Sequence, residues 1–116
     1  MEIVTVFENF AQVDTPYHRP LESFFNRIRE GKSRGKVEYV RASKNKDEAT
    51  ARKKRLPCVL FAGKFLKRNN AGLVTPYGYM ILDFDTVKDL NEKKQILLQH
   101  EFIKAFWVSP SGNGIK

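Results

Sequence analysis

The apolar positions of this chain switch between two periods. Ile3-Val4-Thr5-Val6-Phe7 is a run of β-branched and aromatic residues that predicts a strand over 3–7, with a loop through Asp14-Thr15-Pro16-Tyr17-His18-Arg19-Pro20 behind it. The period then lengthens. Leu21, Phe24, Phe25 and Ile28 fall at i, i+3, i+4 and i+7, an apolar helical stripe over 21–30 that Gly31 closes. Further strands are predicted near 37–40, 57–61, 64–67 and 78–83, with Ala62-Gly63 and Asn69-Asn70-Ala71-Gly72 as turns. Gly31 to Lys36 reads as an exposed loop, and a helix at 87–99 and a strand at 103–109 complete the map. The pattern is α+β: a mixed, mostly antiparallel sheet covered by helices, without internal repeats.

At 116 residues the chain supports one modest core, burying about two-thirds of the surface that the unfolded chain exposes, so residues 1–116 are expected to form a single domain. No apolar stretch reaches the length of a membrane span, and Met1 to Phe7 lacks the basic start of a secretory signal, which predicts a cytoplasmic protein. The lone Cys58, within Leu56-Pro57-Cys58-Val59-Leu60-Phe61, has no disulfide partner and is expected in the core. With only His18 and His100 beside it, there is no Cys/His cluster of zinc spacing.

Charge is unevenly distributed. The span Arg27–Arg68 holds fifteen of the 21 Lys and Arg residues and four acids, leaving six basic and nine acidic residues elsewhere. A basic half beside an acidic one suits a protein that neutralises nucleic-acid phosphates, single-stranded DNA in the first instance. Arg52-Lys53-Lys54-Arg55 is the densest cluster and the candidate nucleic-acid contact; the structural alternative is a solvated helix end whose cations favour the macrodipole's negative pole. Tyr39, Phe61, Phe65 and Tyr77 are interleaved with these cations, as a base-stacking surface requires, although aromatics at such spacing are more commonly core.

Two motifs carry candidate chemistry. Tyr79-Met80-Ile81-Leu82-Asp83-Phe84-Asp85 reads as a buried strand ending in two carboxylates at i, i+2, which places both on one face. Such a pair suits Mg²⁺ or Mn²⁺, hard ions commonly held by one or two carboxylates and substrate phosphates. The structural alternative makes Asp85 the N-cap of the helix at 87–99 and leaves Asp83 at a solvated strand end. The second motif is Phe106-Trp107-Val108-Ser109-Pro110-Ser111-Gly112-Asn113-Gly114-Ile115-Lys116, an apolar strand running into a Ser/Gly/Asn turn. Its small residues offer amides and hydroxyls, and its Lys a charge, for a triphosphate bound by Ser111, Gly112, Asn113 and Lys116. The alternative is an ordinary hairpin turn.

In this order the motifs resemble the catalytic core of the archaeo-eukaryotic primase superfamily, the primase-polymerases. Leu82-Asp83-Phe84-Asp85 is similar to that family's hydrophobic-Asp-hydrophobic-Asp element, and Ser111-Gly112-Asn113-Gly114-Ile115 to its Ser-Gly-x-Gly-hydrophobic element. With Leu-Pro-Cys-Val-Leu-Phe-Ala-Gly-Lys-Phe upstream, residues 56–116 look most like the N-terminal domain of Bacteroides-type virulence-associated E proteins and mobile-element primases. Lys116 stands where better-known members have His, a donor without an acceptor. The family's third acidic ligand lies on a later strand, so the chain is expected to be the N-terminal part of a larger primase-like domain.

The resemblance implies a nucleotidyltransferase in mobile-element or phage DNA replication. Asp83 and Asp85 are its catalytic pair and metal ligands, nucleoside triphosphates and a template are its substrates, and a helicase-type ATPase domain is its partner. The alternative is a catalytically inert nucleic-acid-binding module derived from the same fold, in which the acids are relics. A nuclease or relaxase would need a catalytic Tyr or a His cluster, and neither is evident.

Overall fold

The structure, a computed structural model, describes residues 2–116 and has an α+β architecture of small antiparallel sheets and helices. It divides into two compact units, residues 1–80 and 81–116.

In the first unit, strand β1 (Ile3–Phe7) is central, flanked by β2 (Tyr17–Pro20) and β3 (Cys58–Leu60), both antiparallel to it. The register pairs Ile3 with Pro20 and Val6 with both Tyr17 and Val59. Val4, Thr5, Val6 and Phe7 are all buried, so both faces of β1 are covered. Helix α1 (Leu21–Arg29) contributes the buried Leu21 and Phe25 from its predicted stripe, and Phe24 meets Phe61 edge to face at 5.1 Å. A second sheet pairs β4 (Gly63–Phe65) with β5 (Leu73–Pro76). It is tied to β1 by the Phe65 amide, which donates to the buried Thr5 Oγ1 at 2.9 Å.

The segment at 37–40 is helical rather than a strand. It lies in α2 (Arg34–Arg41), because Val37 and Val40 are three apart and one helix face buries Val40 while Glu38 and Tyr39 stay exposed. The predicted exposed loop at 31–36 thus already contains the first turn of this helix. Helix α3 (Lys46–Lys53) is foreshadowed only by the alternative of a solvated helix end at Arg52–Arg55, and Asn45 caps it by accepting from the Glu48 amide at 2.8 Å. β2 forms within the predicted loop and β5 beyond the predicted turn at 69–72. Cys58 is half-buried rather than a core residue, and Arg68 Nη1 donates to its sulfur at 3.3 Å.

The second unit departs most from expectation. Residues 78–83 form no strand: Met80, Ile81 and Leu82 are 80%, 50% and 45% exposed, and no segment among the described residues offers them a ladder. The predicted strand at 103–109 reduces to a single bridge at Val108. Helix α4 runs Leu90–Leu98, later than predicted, because Asp89 and not Asp85 caps it; its side chain accepts from the Glu92 amide at 3.0 Å. Among the described residues no helix is long and apolar enough to cross a membrane.

Candidate functional site

Ile115, fully buried, lies between two other short segments of the second unit. It is bridged antiparallel to Phe84 on one side and to Val108 on the other. Phe84 exchanges both backbone hydrogen bonds with Ile115 at 2.9 Å. Trp107 and Lys116 likewise exchange a pair, at 2.9 and 3.0 Å, and the Ser109 amide donates to the Gly114 carbonyl. The site therefore rests on a three-segment antiparallel arrangement in place of the expected long strand.

Residues directly opposite each other in an antiparallel pair share a face, and their sequence neighbours take the other. With Phe84 facing Ile115, Asp83 lies opposite Lys116 and Asp85 opposite Gly114; on the far side Trp107 lies opposite Lys116 and Ser109 opposite Gly114. Asp83, Asp85, Lys116, Gly114, Trp107 and Ser109 thus occupy one face, and Phe84, Ile115 and Val108 the other. The same-face placement of the two acids holds, on a strand that extends only about this bridge.

The pairing has a chemical consequence at its first row. Lys116 Nζ donates to Asp83 Oδ2 at 3.1 Å, with the side chains 37% and 47% exposed. Beside this ion pair Asp85 is exposed, and Thr86 turns the chain away with φ +51°. That left-handed conformation is costly for a β-branched residue. The Val87 amide then donates to the Asn113 carbonyl at 2.8 Å, holding the Asp segment to the turn. Asp83 and Asp85 open onto a depression of about 550 Å³ lined also by Phe84, Val87 and Ile96, with Asp89, Glu92 and two lysines from the start of α4. One of these, Lys93, lies over the Phe84 ring at 4.4 Å.

The turn is tightly self-bonded. The Ser109 and Ser111 hydroxyls are 2.9 Å apart, Ser111 donates to Asn113 Oδ1 at 2.7 Å, and the Gly112 amide donates to the Ser109 carbonyl at 2.9 Å. Gly112 has φ +86°, which supplies the reversal that glycine makes without strain. Of the four residues expected to hold a triphosphate, Lys116 contacts Asp83 and the Asn113 carbonyl is bonded to the Asp segment through the Val87 amide, while Ser111 and Gly112 bond within the turn. Thr86 and the backbone role of Gly114 were not legible as site features, since their part is to hold segments together.

A divalent cation suits the donors present. The two carboxylates are hard oxygen ligands on one exposed face, and Asp83 already accepts a cationic group. Among the described residues no group of three or more His, Cys, Asp and Glu gathers about one point, so such an ion would draw its remaining ligands from water or substrate phosphate.

Arg52, Lys53, Lys54 and Arg55 belong to the first unit. Arg52 and Lys53 lie in the last turn of α3 and Lys54 is its C-cap, the position the macrodipole favours for cations. Arg52 is committed within the fold: it pairs with Glu48, donates to the Tyr39 carbonyl at 2.7 Å, and lies 3.9 Å above the half-exposed Tyr39 ring. Arg55 approaches the same ring at 5.5 Å, and Lys54 lies over Phe10. Lys53 is exposed.

Compared with curated proteins and with solved structures, the chain matches none. A family model does match, over residues 51–116, a span that contains both the carboxylate pair and the Ser-Gly-Asn-Gly turn. On that match, which covers more than half its length, the chain belongs to the family described as BT4734-like, N-terminal domain.

Proposed function

We propose that the chain is a primase-polymerase-like nucleotidyltransferase domain that acts on nucleoside triphosphates and a single-stranded DNA template in the replication of a mobile element or phage. The observation that carries the reading is the Phe84–Ile115 bridge, which sets two carboxylates and the ammonium of Lys116 on one face. Asp83 and Asp85 present hard oxygens side by side. Bound there, Mg²⁺ or Mn²⁺ would offset triphosphate charge and lower the pKa of an attacking hydroxyl. Ser111 and Lys116 offer a hydroxyl and a cation to the polyphosphate, joined by the Asn113 amide and by that of Gly112 once it exchanges its bond to Ser109. The basic residues of the first unit, Lys53, Lys54 and Arg55 foremost, supply template affinity. A helicase-type ATPase domain is the partner this reading entails in the whole protein.

The test is nucleotide incorporation on single-stranded DNA in Mn²⁺. Wild type should extend or prime, and the Asp83→Asn/Asp85→Asn variant should lose at least about a hundredfold of that activity, as loss of a metal worth several kcal/mol of charge stabilisation requires. Equal product from both proteins would refute the assignment of the acids. One observation favours the inert module instead, namely that the ammonium of Lys116 already neutralises Asp83. That reading expects DNA binding with no product from either protein.

A further inference from the structure

We infer that Lys116 is a built-in counter-ion of the carboxylate pair, so that the site takes the metal chelate of a triphosphate rather than a free cation or a free anion. This deepens the proposed metal and triphosphate reading and rests on it. Lys116 Nζ donates to Asp83 Oδ2 at 3.1 Å, on the side of that carboxylate where the two residues face each other across the bridge. An ammonium and a divalent cation on one carboxylate repel, so a cation that engages Asp83 binds more weakly while Lys116 keeps its place, and moving Lys116 relieves that repulsion. The side chain is placed to move without disturbing the fold. Its backbone is fixed by the paired hydrogen bonds to Trp107, while the four-carbon stem and the ammonium are partly exposed. Displaced alone, the ammonium loses its partner; displaced by a cation that carries a polyphosphate, it gains phosphate oxygens in exchange. Free metal therefore binds against Lys116, and the chelate binds with its help. A residue serving only the triphosphate would leave free-metal affinity untouched, whereas this one opposes it.

The experiment is Mn²⁺ titration of the full chain by electron paramagnetic resonance, followed by ATP titration at saturating Mn²⁺, for wild type, Lys116→Met, Lys116→Arg and Asp83→Asn/Asp85→Asn. Lys116→Met should bind free Mn²⁺ about three- to fivefold more tightly, the change a partly exposed ion pair is worth, while binding ATP about tenfold more weakly. Lys116→Arg, which keeps the cation, should bind free Mn²⁺ as wild type does and so separates charge from damage to the fold. Equal or weaker free-Mn²⁺ binding by Lys116→Met, with the acids still required, would overturn this inference alone. Mn²⁺ binding unchanged in the double Asn variant would overturn it together with the metal reading.

Discussion

Gly114 presses its α-carbon so closely on Phe84 that a Cβ there would lie 2.5 Å from the Phe84 carbonyl oxygen and 3.3 Å from Ser109 Oγ. The closer neighbour is backbone, engaged in the bridge to Ile115, and cannot turn aside as a flexible side chain would. The glycine is thus a condition for the carboxylate segment and the Ser-Gly-Asn-Gly turn to meet at all. Gly114→Ala should part that contact at a cost of about 1–3 kcal/mol, the range for overpacking, and lower the melting temperature accordingly. A melting temperature equal to wild type would show that the two segments do not approach as described.

Thr86 carries the opposite liability, a side chain where the backbone prefers none. At φ +51° it stores strain next to Asp85. Thr86→Asn, a residue that tolerates the left-handed region, should stabilise the fold by up to about 1 kcal/mol. Chemical denaturation of the two proteins checks this, and a destabilised Asn variant would contradict it.

The basic cluster divides by its internal commitments. Because Arg52 is held by Glu48 and Tyr39, its replacement by Ala should reduce stability more than DNA affinity. Replacing Lys53, Lys54 and Arg55 by Ala should instead flatten the salt dependence of single-stranded DNA binding by up to about 2, from three phosphate contacts at roughly 0.7 each. Fluorescence anisotropy over a salt series gives the slope; an unchanged slope would make these residues a solvated face only.

His18 links stability to pH. Burial foremost, and then the charge of Lys64, holds its imidazole below the ordinary value near 6.5. Thr5 Oγ1, which accepts from the Phe65 amide, lies 3.2 Å from His18 Nδ1 in hydrogen-bond contact. The unfolded chain binds the imidazole proton more readily than the folded one. The stabilisation from His18 is therefore complete above about pH 6.5 and is lost as pH falls through the lowered folded value. Melting temperature should drop between pH 7 and pH 5 in wild type and drop less in His18→Gln; parallel curves would remove His18 from the account.

Legibility along the chain followed the range of the interactions involved. The stripe of Leu21, Phe24, Phe25 and Ile28 is a local signal, and α1 buries it. Asn45 and Asp89, each followed three residues later by Glu, were equally local capping signals that the wider apolar pattern obscured. β2 and β5 owe their form to the separate strands they pair with, β1 and β4, and Tyr-His-Arg-Pro carries no alternation from which to foresee one. The run Met80-Ile81-Leu82 misled because apolar content alone does not distinguish a core strand from an exposed segment. The residues of both candidate motifs stand out in the sequence, yet the juxtaposition of Asp83 with Lys116 is a contact across 33 positions that no periodicity encodes.

The burial of Ile115 also constrains how the turn before it can change in length. Side chains of an extended segment alternate in direction, so removing one residue from Ser111 to Asn113 while keeping Ser109 in place would carry Ile115 outward and turn Lys116 inward. The apolar residue would face water and the cation would face Phe84 and Val108. Losing two residues would restore the alternation but shorten the reversal that Gly112 provides. An odd change in the length of this turn is thereby excluded: the parity of its length, as much as its composition, keeps a lysine beside the aspartates.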